Sequence, residues 1–393
     1  MTKRIALVTC YFQPNYGSQL QAYATQKAFD KLGLDNETIN IEGIKPEINK
    51  RKMKYFLSRI FDKHTVLDKM ATVRKVVAKK LVPGLAELLA QRTRKFKEFE
   101  GMFTVSERYD SIASIGEASQ QKYLAFVVGS DQLWLPSNIT ADYYTLNFVP
   151  QNICKIALST SFGVSALPKK QAAMASKFLK RINYVSVREQ SGQRLVKQLA
   201  DRDVPVVCDP TILFNAEEWM DIVPKERFYD DKYIFCYFLG NNPEQRDFVR
   251  KVRELTGYKI VQLQHCDEYM KSDVGFPDFA PYNVGPREFI QLIRDAELVF
   301  TDSFHCSVFS MLNCKKFFTF RRYNNDSIVS TNGRIYDLLN EVELSNRLLT
   351  AHENPVEMLK QEIDYNKVSD KLEHLRQFTW DWLKDSLKDA KIL

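Results

Sequence analysis

The sequence predicts an α/β protein built from two Rossmann-like halves facing a cleft. Three observations carry that expectation. Two successive alternations of apolar strand and amphipathic helix run along the chain, and a charged, Pro-containing stretch at 224–232 separates them. The strands repeatedly finish in polar turns bearing Gly, Ser, Asp or Arg, the signature of a cleft lined by strand ends. At 393 residues and 45% apolar content the chain has material for two ordinary cores. The expected boundaries are 1–225 for the first domain and 232–365 for the second. A helical insertion at 45–100 belongs to the first domain, and a helix at 370–393 docks back onto it.

In chain order, 4–12 reads as a first strand. It runs through Gln13-Pro14-Asn15-Tyr16-Gly17 into a helix over 18–32, the opening of a βαβ unit. A second strand is expected at 37–41. The run 123–128 is strongly apolar and ends in Gly129-Ser130-Asp131. Strands at 155–160 and 184–187 end in Ser161-Phe162-Gly163 and Arg188-Glu189, and a strand at 204–208 ends in Asp209-Pro210. After the linker, 233–239, 259–264 and 316–320 read as strands, with helices at 245–255 and 287–293. The strand 297–301 leads into Asp302 and Ser303, both good helix N-caps, and then into helical apolar spacing. His305 therefore stands in the first turn of a helix just past a strand's carboxyl end, where free backbone N–H groups favour an anion. Asn332-Gly333-Arg334 opens a further helix, and the final one carries Phe378, Trp380, Trp382 and Leu383.

Charge is unevenly placed. The chain's net +7 conceals a surplus of ten within 45–100, where sixteen Lys/Arg meet six Asp/Glu. Apolar residues at helical spacing (Tyr55, Phe56, Ile60; Val66, Met70, Val73; Leu85, Leu88, Leu89) make two or three basic amphipathic helices, broken at Pro83-Gly84. These are either an ordinary solvated face or a surface for an anionic membrane or acceptor. Basic residues are not interleaved with stacking aromatics, so no nucleic-acid partner is expected. The seven cysteines form no CxxC pair and lie mostly in apolar runs, and the chain starts without a signal-peptide pattern. The expected setting is cytoplasmic, with peripheral contact at the inner face of the membrane.

The motif record excludes several chemistries. GxxxxGK[ST], HExxH and GxSxG do not occur, the five histidines are scattered, and one glycine after the first strand is no dinucleotide fingerprint. No metal and no cofactor is expected. What remains is a set of strand-end groups: Asn15, Gly17, Ser130, Asp131, Ser161, Arg188, Asp209, Asp302, Ser303 and His305. Each alone has a structural reading: Asp131 as a cap, Asp209-Pro210 as a turn, Arg188-Glu189 as an ion pair. Together they suit an anionic ligand, with Arg for forked recognition and His to bond or protonate it.

At these residues the sequence resembles the polysaccharide pyruvyl transferases. The resemblance rests on NYGSQLQAYA (15–24), VVGSDQLW (127–134), STSFG (159–163), VSVREQSG (185–192), CDPT (208–211) and TDSFHCSVFS (301–310), and it runs from about residue 4 to about 340. It implies a GT-B-like fold and transfer of the enolpyruvyl unit of phosphoenolpyruvate onto hydroxyls of a cell-surface glycan, forming a ketal. By position, Arg188 matches a family arginine that contacts the donor, and His305 the histidine of the family's helix-start turn. Some members have Arg-Leu-His where this chain has Ser303-Phe304-His305, which leaves one anion-binding role unassigned. The expected roles are His305 as acid, Asp131 as base, Asp302 as orienter of the histidine, and Arg188 as donor clamp. Asn15, Gly17, Ser130, Ser161, Asp209 and Ser303 complete substrate binding, and the acceptor is a glycan or a lipid-linked oligosaccharide. The alternatives are a sugar-nucleotide-dependent glycosyltransferase of the same architecture and a non-catalytic glycan-binding homologue.

Overall fold

A computed structural model describes residues 3–58, 84–265, 270–322 and 333–393. Two parallel sheets organise them. The first contains β1 (Arg4–Val8), β2 (Asn36–Asn40), β3 (Val105–Arg108), β4 (Tyr123–Val128), β5 (Cys154–Thr160) and β6 (Tyr184–Val187), in the order β3-β2-β1-β4-β5-β6. The second contains β7 (Tyr233–Tyr237), β8 (Lys259–Gln262), β9 (Leu298–Thr301), β10 (Lys316–Phe320) and β11 (Leu348–Leu349), in the order β11-β10-β9-β7-β8. Every residue of β7 and β9 is buried, as befits strands covered by helices on both faces.

Both sheets reverse their winding at one point, between β1 and β4 in the first and between β7 and β9 in the second. Loops leaving the carboxyl ends of strands at such a point splay apart and open a crevice. An aromatic stack joins the halves beside it. Tyr16, fully buried at the start of the helix Tyr16–Lys31, stacks on Phe289 of the second half at 4.9 Å and meets Phe96 of the insertion at 4.9 Å. Arg92, on the inserted helix Leu85–Glu100, reaches the carbonyl of Gln264 at 2.7 Å and so ties the insertion to the second half. The last helix, Tyr365–Asp389, packs on the first half. Thr379 accepts from the Cys208 amide at 3.0 Å, Arg376 donates to the Ile212 carbonyl at 2.8 Å, and Leu383 and Leu387 are buried.

Several local expectations change. The stretch 204–208 is not a named strand, since Pro205 has no N–H to give; only Val206 bridges to Val187. The edge strands β3 and β11 and the helices Ile112–Lys122, Pro136–Ala141 and Pro355–Lys360 were not expected. In the basic insertion, Lys45–Leu57 and Leu85–Glu100 are helices, with Gly84 at φ 76° just before the second. The helix expected around Val66–Val73 lies outside the described residues.

Candidate functional site

The two reversal points face one another, and the sequence-selected residues gather between them. Asp131 follows β4 with φ 68°, a left-handed conformation uncommon outside glycine. Its carboxylate accepts from the Ser18 hydroxyl at 2.6 Å and lies 3.4 Å from Arg188 and 3.9 Å from Arg334. Burial alone would raise its pKa, but the charges of Arg188, His305 and Arg334 bring it down to about 2.

Asp209 is the hub behind Asp131. One oxygen accepts from the Thr211 amide and hydroxyl at 3.0 and 2.8 Å; the other accepts from Arg188 at 2.5 Å and lies 3.6 Å from His305 Nε2. Its burial is outweighed by His305, Arg188 and the Thr211 amide, which hold it far below the carboxylate range. Arg188 and His305, contributed by opposite halves, therefore meet across a carboxylate of the protein itself. The His305 ring also lies against Gly17. A Cβ at Gly17 would fall 1.9 Å from His305 Nδ1, so only glycine fits this approach.

A cavity of about 230 Å³ opens at this junction, lined by Asn15, Asp131, Ser303 and His305 and by three cations, Lys52, Arg322 and Arg334. Arg334, buried at the start of the helix Gly333–Glu341, has its pKa lowered to about 10, first by burial and then by the like charge of Arg188. Burial also lowers Lys52. A desolvated, under-compensated cation gains from any anion that enters beside it.

Not every expected group opens onto this cavity. Arg188, 1% exposed and engaged by Asp209 and Asp131, is no open clamp here; it holds carboxylates in place. Asp302 forms no hydrogen bond or ion pair with His305. Its two oxygens accept from the Leu239 and Gly240 amides at 2.7 Å each, which fastens the β7 loop to the β9 loop. Ser161 is spent on Glu189 at 2.9 Å, and Ser130 donates to the Ser159 carbonyl at 2.6 Å, 3.3 Å from Asp209. Asn15 and Ser303 cap their helices, accepting from Ser18 and Cys306 amides. Sequence reasoning did not select Lys52, Arg322 or Arg334. Arg322 stands two residues past β10 and Arg334 opens a helix, the same kind of position that singled out His305.

The model of the polysaccharide pyruvyl transferase family matches residues 15–324. No curated protein matches the chain. Among solved structures it is similar to a protein assigned as a UDP-N-acetylglucosamine 2-epimerase from Listeria monocytogenes (TM-score 0.53, 11% identity, 98% of this chain and 95% of that one). Others are the UDP-GlcNAc 2-epimerase from Methanocaldococcus jannaschii (0.49, 13%, 95% and 92%) and the glycosyltransferase SnogD from Streptomyces nogalater (0.42, 10%, 100% and 100%). At such identities the likeness concerns the fold alone, and the fold is GT-B-like.

Proposed function

The chain belongs to the polysaccharide pyruvyl transferase family, and on that premise we propose that it transfers the enolpyruvyl unit of phosphoenolpyruvate onto two hydroxyls of a glycan. One observation supports this most. A small cavity at the joined reversal points sets His305 and three cations of both halves around a space facing Asp131. Phosphoenolpyruvate carries phosphate and carboxylate on three carbons, and such a set matches it in size and sign.

The chemistry follows from the donor. His305 gives a proton to the methylene carbon, and positive charge develops at the carbon bearing phosphate. An acceptor hydroxyl attacks that carbon. The attacking oxygen becomes strongly acidic, so even a carboxylate as weakly basic as Asp131 takes its proton, and before attack its negative charge stabilises the cationic centre. Phosphate then leaves, held by Arg334, Arg322 and Lys52, and carries off the proton taken up by Asp131; a second hydroxyl closes the ketal and returns its proton to His305. Gly17 and Asp209 position the imidazole; Arg188 keeps Asp209 and Asp131 ionised. No resident cofactor enters this scheme.

A lipid-linked acceptor would bring the protein to an anionic membrane face. Exposed Met53 and Leu57, one turn apart among Lys50 and Lys54, support contact there.

Thermal shift and phosphate release test the proposal. Stabilisation by phosphoenolpyruvate, and phosphate release that requires a glycan acceptor, are expected. Stabilisation by UDP or another nucleoside diphosphate, with none by phosphoenolpyruvate, would replace it with a sugar-nucleotide reaction.

A further inference from the structure

A second cavity, of about 440 Å³, lies on the far side of the same wall. Arg188 and Asp209 form its inner end, and Phe304 and Arg334 front on both cavities. The Phe304 ring lies 4.7 Å from the Arg188 guanidinium and 5.8 Å from that of Arg334, so the partition is one side chain thick.

The outer part of this cavity differs in chemistry from the first. Asp337 and Glu341, one helical turn apart, stand on one side; His374 and Phe378, again one turn apart on the last helix, stand on the other. Phe378 is 51% exposed although its helix neighbours Thr379 and Trp380 are buried. Two carboxylates at the mouth disfavour an anionic occupant. Carboxylates accepting from hydroxyls, with an aromatic face against polarised C–H groups, suit a neutral saccharide ring. The volume lies within the roughly 300–1,000 Å³ of small-ligand sites. Arg188 and Arg334, both buried, line the cavity only at its Phe304 end.

Building on the phosphoenolpyruvate reading of the first cavity, we infer that this second cavity seats a neutral saccharide unit of the acceptor, stacked on Phe378 and hydrogen-bonded by Glu341. The acceptor chain then enters past the last helix and presents its leading hydroxyls at the Phe304–Arg334 partition.

Saturation-transfer NMR on the full chain tests this, with methyl glycosides of glucose, galactose, mannose and N-acetylglucosamine at millimolar concentration as probes. At least one should receive saturation. Phe378→Ala and, separately, Glu341→Gln should weaken its binding by about tenfold, the loss expected of one aromatic contact or of one hydrogen bond to a charged group. Both positions are exposed, so the variants should keep the wild-type melting temperature, and thermal stabilisation by phosphoenolpyruvate should be unchanged. Saturation undiminished in both variants, glycoside displaced by phosphoenolpyruvate, or no transfer to any probe would each overturn the inference. If phosphoenolpyruvate fails to stabilise the wild type while a glycoside binds through Phe378, the donor reading fails and the saccharide site stands.

Discussion

Asp131 and Asp302 occupy the same station in their respective sheets, just beyond a strand that flanks the reversal point. The first sheet leaves its aspartate turned outward, touching a serine hydroxyl and cations at the edge of a cavity. The second sheet turns its aspartate inward, where two backbone amides take both oxygens. One carboxylate is available to a ligand and the other fastens two loops. The contrast extends to the cations. Arg188 on the first sheet is sealed against Asp209, whereas Arg322 and Arg334 beyond the second line the cavity. Position at a strand end thus selects residues that matter, and their hydrogen-bond partners decide whether they serve chemistry or scaffold.

The largest effect is expected of His305→Ala. General acid catalysis contributes roughly 10²–10⁴-fold, so turnover should fall by that factor while circular dichroism stays unchanged; near wild-type turnover would remove His305 from the reaction. Gly17→Ala comes next. Its methyl must displace the imidazole, and a misplacement of that kind lowers kcat by about 10²-fold, with phosphoenolpyruvate affinity much less affected. For Arg334→Ala, loss of a charge-assisted contact should weaken phosphoenolpyruvate binding by roughly 10–100-fold in calorimetric titration.

The two aspartates themselves give the smaller effects. Asp302→Asn leaves one amide facing an NH₂ group and should destabilise the fold by about 1–3 kcal/mol in urea unfolding, whereas Asp131→Asn should lower kcat with phosphoenolpyruvate binding kept or tightened. The pH dependence of stability separates them further. Asp131 is held down from 3.8 to about 2 in the folded state, so its contribution is fully present above pH 4 and is lost as pH falls towards 2. That contribution is about 2 kcal/mol. Asp131→Asn should flatten the acid limb of the stability curve by that amount, and an unchanged limb would mean that the Arg188–His305–Arg334 field on Asp131 is not there.

Much of this arrangement is legible in the sequence. The buried strands announced themselves as apolar runs, and the turns after β1, β4 and β9 as polar breaks carrying Gly17, Asp131 and His305. Edge strands β3 and β11, of four and two residues, left no comparable run. Arg334 is visible in the sequence as a helix opener but not as a ligand group, because its importance comes from burial near Arg188, a proximity across 146 positions of chain. Asp302 and Arg188 look active in the sequence for the converse reason. A one-dimensional pattern places a charged group at a cleft but does not say which amides or carboxylates already occupy it. The hydrophobic code is local, and electrostatic saturation is not.

A crystal structure of the complex with phosphoenolpyruvate tests most directly whether one small anion is held where the two reversal points meet. Density for the phosphate against Arg334, with the methylene carbon beside His305, is the result expected. Phosphoenolpyruvate bound elsewhere, with this cavity left to water, would contradict the account.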